Sequence, residues 1–351
     1  MKVVVAIDSF KGCLSSAEAN AAAAEGVRSV VPDAEVLSVP VSDGGEGFLE
    51  ACAAAVGGER VKLTVHDPLM RTIEAQYLLC GPTAFIESAQ ACGLTLLQPH
   101  ERNPLVASSY GLGEIVANAV GRGATHVVVG LGGSGTSDVG IGMLRALSDA
   151  FSVEDIALCD TLRHVRFTVA SDVQNPLCGP DGAAHGFSIQ KGATNAMLPI
   201  LEERARTFAN DSAVRMGFDR SEQKGAGAAG GLGYAFLQYL NAEYQSGVHL
   251  LLDLVRFSEK TKGADLIITG EGSADRQTLM GKLPMGILQR AQGVPVVLIA
   301  GMTVHEHLLR EAGFSQVVCI NPPDLTLAEC LKPDVARRNI RHTVAQVLSQ
   351  L

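Results

Sequence analysis

The sequence predicts an α/β protein built on parallel sheet and divided into two domains. Three observations carry this. Apolar runs of strand length alternate with helix-length segments near both ends of the chain, the runs close on acidic residues or glycine-rich loops, and the alternation breaks between residues 60 and 87. At 351 residues the chain exceeds the usual span of one hydrophobic core, and a hydrophobic content of 47% is enough for two.

Lys2 to Ile7 is an apolar run ending on Asp8, as expected of a strand buried on both faces. Ser15 and Glu18 make a capping-box pair before an alanine-rich run, so a helix starts there and stops before Pro32. A strand over Glu35 to Val41 leads through Ser42-Asp43-Gly44-Gly45-Glu46-Gly47 into a helix from Phe48 to Val56. Extended segments follow at Val61 to Val65, Ile73 to Leu79 and Ala84 to Ile86, punctuated by Asp67-Pro68 and Gly81-Pro82. Pro104 to Ser109 reads as loop and Leu112 to Val120 as helix.

Thr125 to Phe151 reads as strand, glycine loop and helix: Val127, Val128 and Val129, then Gly130, Gly132, Gly133 and Gly135, then Ile141, Leu144 and Leu147 at helical spacing. Backbone amides at such a helix start attract anions. The same pattern also fits a tight turn capped by Ser137 or Asp138.

A strand over Phe167 to Ser171 ends on Asp172, and Gln190-Lys191-Gly192-Ala193 precedes a helix over Ala196 to Phe208. Gly225 to Gly233 is rich in glycine and alanine and continues into a helix over Tyr234 to Leu240. Regular alternation returns with a strand over Asp265 to Thr269, a loop Gly270 to Asp275, a helix over Pro284 to Ala291, and strands over Pro295 to Ala300 and Gln316 to Ile320. The two ends therefore share one sheet: residues 1–62 plus 258–351 form a discontinuous domain around an inserted domain of residues 63–257.

A net charge of −9 without a basic run argues against nucleic-acid or anionic-membrane surfaces. No apolar stretch approaches a membrane span, and the start of the chain lacks a leader pattern, so a cytoplasmic protein is expected. The eight cysteines lack CxxC spacing and read as reduced core thiols, and the nine histidines lack HExxH spacing. Gly130-x-Gly132-x-x-Gly135 fits the dinucleotide fingerprint, which leaves an NAD(P)-dependent oxidoreductase on a small hydroxy acid as one reading. Glu154-Asp155, about where the ribose-binding acid should fall, follow a helix rather than a strand.

Phosphoryl transfer is the other reading. It needs phosphate cradles, cations and carboxylates. Gly-rich loops, Lys11, Lys191 and Lys282, and Asp8, Asp43, Asp138, Asp172 and Asp275 supply these types, while no GxxxxGK[ST], HRD or DFG motif occurs. Singly, these aspartates also suit helix caps and the lysines suit a solvated surface.

Asp8-Ser9-Phe10-Lys11-Gly12, Ser42-Asp43-Gly44-Gly45-Glu46-Gly47, Gly132-Gly133-Ser134, Ala170-Ser171-Asp172-Val173, Asn175-Pro176-Leu177, Gln190-Lys191-Gly192-Ala193, Gly225-Ala226-Gly227-Ala228-Ala229-Gly230-Gly231 and Thr269-Gly270-Glu271-Gly272 occur in this order. The set resembles the bacterial type I glycerate kinase family along nearly the whole chain. That resemblance implies ATP- and Mg²⁺-dependent phosphorylation of D-glycerate to 2-phosphoglycerate. It also implies two three-layer α/β/α domains with the active site in the cleft between them. One domain would be flavodoxin-like, the inserted one, and the other Rossmann-like with a mixed sheet; a homodimer is compatible.

Carried onto this chain, the resemblance assigns substrate binding to Asp8, Ser9, Lys11, Gly44, Gly45 and Glu46, and catalysis to Asp43, Asp172 and Lys11. It assigns nucleotide or phosphate binding to Gly132, Gly133, Ser134, Thr136, Lys191, Glu271, Asp275 and Lys282, and Mg²⁺ to Asp172 and Asp275. The chain departs from the family pattern at Phe48, Leu112, Ser137, Val139, Ser188, Ile189 and Ser273, the last replacing a guanidinium.

Overall fold

The computed structural model describes residues 1–350. They divide into two compact units: Met1–Asp43 with Glu50–Val56 and the chain from Val248 onward, and Gly44–Leu49 with Gly57–Gly247. Among these residues the strands are β1 (Lys2–Ile7), β2 (Glu35–Ser38), β3 (Glu59–His66), β4 (Thr72–Cys80), β5 (Thr83–Glu87), β6 (His126–Gly130), β7 (Arg166–Ala170), β8 (Glu243–Gln245), β9 (Leu266–Ala274), β10 (Val296–Thr303) and β11 (Gln316–Cys319).

The first unit holds a wholly parallel sheet in the order β2-β1-β9-β10-β11. Val3 to Ile7 are fully buried in it, which explains why β1 is apolar throughout rather than alternating. The helix Ser16–Val30 begins with the expected capping box, in which Ser15 and Glu18 satisfy each other's amides. It packs beside the helix Pro333–Ser349, where Ile340, Val344 and Val347 join Val3, Val5 and Ile7 in one apolar cluster. Gly26 allows this approach, since a Cβ there would stand 2.6 Å from the Arg341 carbonyl oxygen.

The second unit holds the sheet β3-β4-β5-β6-β7-β8, antiparallel over β3 to β5 and parallel from β5 to β8. Turns too short for a crossover force the antiparallel part. At the first of these the Asp67 carboxylate accepts from the amides of Leu69 and Arg71 and from Arg71 Nε; at the second Gly81 adopts φ +55°. Two expectations are corrected by this topology. The flavodoxin-like order 2-1-3-4-5 belongs to the chain ends rather than to the insert. The mixed sheet belongs to residues 59–245, because the hairpins lie there.

Element ends also shift. β2 stops at Ser38 rather than Val41: Val39 still donates to the Val5 carbonyl, but Pro40 has no N–H to continue the ladder. The helix after the glycine-alanine run is Ala228–Tyr239, broken by positive φ at Ala229, Gly230 and Gly231. Cys92 and Cys159 are core residues, whereas Cys319 is exposed rather than buried. No described helix is long and apolar enough to cross a membrane.

Candidate active site

In the first unit the carboxyl ends of the parallel strands carry acidic and basic groups around one cavity. Asp8 and Ser9 follow β1, Asp43 follows β2, and Glu271 lies late in β9. Together with Lys11 and Lys282 they line a cavity of about 440 Å³ whose remaining wall is largely apolar, including Phe10, Met302 and Ile320. The helix Ser16–Val30 fixes the two strand ends. Ser16 Oγ donates to the Ile7 carbonyl and accepts from the Val41 amide, while Asn20 accepts from the Ile7 amide and donates to the Val39 carbonyl. These two buried polar residues were not singled out from the sequence; their signal was polar side chains on the inward face of an alanine-rich helix.

Lys11 Nζ lies 3.4 Å from Asp43 Oδ2. Glu271 accepts from the Thr278 hydroxyl at 2.6 Å, with Lys282 Nζ 3.7 Å from its other oxygen. Burial, and then the negative charge of Asp43, hold the Asp8 carboxyl well above the usual carboxylate range, against the Ser9 amide and Lys11. Burial likewise pushes Glu271 up, against Thr278 and Lys282. Asp275 receives the Gln277 amide on Oδ1 and so also serves as a turn former.

The second unit contains Gly44, Gly45, Glu46, Gly132, Gly133, Ser134, Thr136, Asp172 and Lys191. Gly132 donates to the Gly44 carbonyl at 3.1 Å. Asp172 Oδ1 accepts from the Ser246 hydroxyl at 2.5 Å. Lys191 is buried behind the glycine loop, donating to Ser134 Oγ at 3.0 Å and to the Thr136 carbonyl at 2.7 Å. Burial pulls its pKa down to about 8, with Asp138 and Cys92 opposing.

The loop differs from a helix-start anion site. Amides of Leu131, Gly132 and Gly135 are spent on the carbonyls of Ala170, Gly44 and Cys92. The start of the helix Ile141–Phe151 is filled by the chain's own carboxylate. Asp138 accepts from the amides of Gly140 and Gly142 and from both the amide and the hydroxyl of Ser109. Asp138 therefore fills the cap role, although Gly140 is the residue at the N-cap position; Ser137 instead meets Ser188. The dinucleotide reading finds no support here, since Asp155 caps a short 3₁₀ turn by accepting from the Ala157 amide and the next strand, β7, begins at Arg166.

Among the described residues no group of three or more His, Cys, Asp or Glu side chains is placed to hold a metal ion.

Buried acids beside lysines at parallel strand ends, with glycine-rich turns, are the equipment of an α/β phosphotransferase. The glycerate kinase family model matches residues 3–351, and the chain belongs to that family. It is 40% identical to a glycerate kinase of Bacillus subtilis over 86% of this chain and 85% of that one. It is 38% identical to the glycerate 2-kinase of Escherichia coli over 98% of each. A crystal structure from Salmonella typhimurium LT2, provisionally assigned as glycerate kinase 2, is similar with TM-score 0.81 and 36% identity over 100% of this chain and 98% of that one.

Proposed function

We propose that the protein transfers the γ-phosphoryl group of ATP, in the presence of Mg²⁺, to the 2-hydroxyl of D-glycerate. The observation that carries this is the cavity in which Asp8, Asp43 and Glu271 stand with Lys11 and Lys282. The choice of glycerate and of its 2-hydroxyl follows the similarity to the Escherichia coli glycerate 2-kinase.

In this reading Lys11 and Ser9 meet the glycerate carboxylate, and Asp43 orients the attacking hydroxyl and takes its proton, a role for which Asp172 is the alternative. The hydroxyl oxygen forms a bond to the γ-phosphorus as the bond to the bridging oxygen breaks, and ADP leaves with that electron pair. Lys282 offsets charge on the transferred group. Asp172 and Asp275 are the proposed Mg²⁺ carboxylates; the ion would neutralise phosphate charge.

The test is incubation with D-glycerate, ATP and Mg²⁺, following ADP release and identifying the product by phosphorus NMR. Glycerate-dependent ADP release with 2-phosphoglycerate is expected. Absence of such release at millimolar glycerate overturns the function, and 3-phosphoglycerate overturns the regiochemistry.

A further inference from the structure

We propose that Lys191 is the buried counter-charge of an oxyanion seated on the Gly133–Ser134 turn, and that it acts through the Ser134 hydroxyl rather than by touching the anion. The argument begins with burial: Lys191 is 2% exposed. Its ammonium has three protons to place, and Ser134 Oγ and the Thr136 carbonyl take two. No carboxylate lies within 4.0 Å of it among the described residues. A buried cation lacking a partner is unfavourable unless something else supplies the negative charge.

The groups around it do so only in part: the Asp138 charge draws on the ammonium without contact, its oxygens being bonded to Ser109, Gly140 and Gly142, and burial keeps the Cys92 thiol protonated. On the other side the loop reaches solvent, since Gly133 is exposed and turns the chain at φ +73°. Because Ser134 Oγ accepts from the ammonium, its own proton remains to donate, strengthened by the cation behind it. The buried Thr136 hydroxyl beside it has no hydrogen-bond partner. Donors without acceptors thus gather behind one turn.

The inference rests on the phosphoryl-transfer reading only for its probes: glycerate supplies a carboxylate, a non-hydrolysable ATP analogue a phosphate, and sulfate an anion of constant charge. Each is titrated calorimetrically into wild type, Lys191→Met and Ser134→Ala. The expected result is a loss of at least about tenfold in affinity for glycerate or for the nucleotide in both variants, and the ligand affected identifies the source of the oxyanion. Sulfate binding to wild type should weaken as pH rises through about 8, while Lys191→Met binds it without that dependence. If Lys191→Met does not fold, Lys191→Gln is read the same way. Unchanged affinity for both glycerate and nucleotide overturns the proposal, even where the variant is less stable, since Lys191 would then be only a fastener of the loop. If wild type binds these anions but never turns glycerate over, the kinase reading fails and the role of Lys191 stands.

Discussion

The Gly132 amide donates to the Gly44 carbonyl at 3.1 Å, so the turn after β6 and the turn after β2 meet backbone to backbone. A Cβ on Gly132 would lie 2.1 Å from the Cα of Gly45, and nothing at that contact is a flexible side chain. Gly132→Ala should therefore separate the two turns. The expected result is destabilisation of about 3 kcal/mol or more, read as a lower urea midpoint, together with loss of most activity. Gly133→Ala is the control: its Cβ would meet nothing closer than 3.5 Å, so only its positive φ opposes the change, at about 1–2 kcal/mol. Equal midpoints for the two variants would contradict the contact.

Asp8 makes stability and activity pull in opposite directions. Its carboxyl is held well above 3.8 by burial and by Asp43. The folded chain therefore binds this proton more tightly than the unfolded chain, and stability is lost as pH rises from 3.8 through the folded value. Asp8→Asn removes that loss. The variant should show a higher urea midpoint than wild type at pH 8, with the gap closing toward pH 4, while kcat/KM falls by roughly 10²-fold or more. A variant less stable than wild type at pH 8 would show that the Asp8 charge is well compensated in the fold.

Much of the framework was legible because it depends on neighbouring residues. The run Val3 to Ile7 predicted a strand buried on both faces, and Ser15 with Glu18 predicted a helix start; both stand. The helix Pro333–Ser349 carries a local signal too, Ala336, Ile340 and Val344 at intervals of four along its buried face. The loop Gly130 to Gly140 was only half legible, for a physical reason. Its glycines suggest that every amide faces a ligand, yet those of Leu131, Gly132 and Gly135 are bonded to Ala170, Gly44 and Cys92, tens of residues away, and a local pattern carries no trace of such partners. Lys191 shows the same limit: the segment Gln190-Lys191-Gly192-Ala193 fits a phosphate-binding or a solvated lysine, and only its tertiary partners reveal that it lies buried behind the loop. Ser16 and Asn20 carry little local signal, because polar residues in an alanine-rich helix resemble its solvent face although both are buried here.

Asp138 gathers four donors from two segments, Ser109 and the start of the helix Ile141–Phe151. Asp138→Ala leaves buried amides unpaired and should cost about 3 kcal/mol. Asp138→Asn keeps one acceptor and should cost about 1–2 kcal/mol. Urea denaturation orders the three proteins. Equal losses for Ala and Asn would mean that packing, and not the hydrogen bonds, is what Asp138 supplies.

Lys282 favours the ionised form of Glu271 against burial. The acid is 7% exposed and pushed up by burial, and Lys282 is one of two groups drawing it back. Lys282→Met removes that pull, so the Glu271 pKa rises further. If ionised Glu271 is needed for turnover, the acid limb of kcat/KM against pH moves to higher pH, beyond any fall in the plateau. The plateau itself should fall by about 10²–10³-fold if Lys282 also offsets charge on the transferred phosphoryl group. Glu271→Gln separates the two effects, because it abolishes titration at this position while leaving the lysine in place. A Lys282→Met profile with a lower plateau and an unmoved acid limb would assign the lysine to the phosphoryl group alone and remove Glu271 from the titrating machinery.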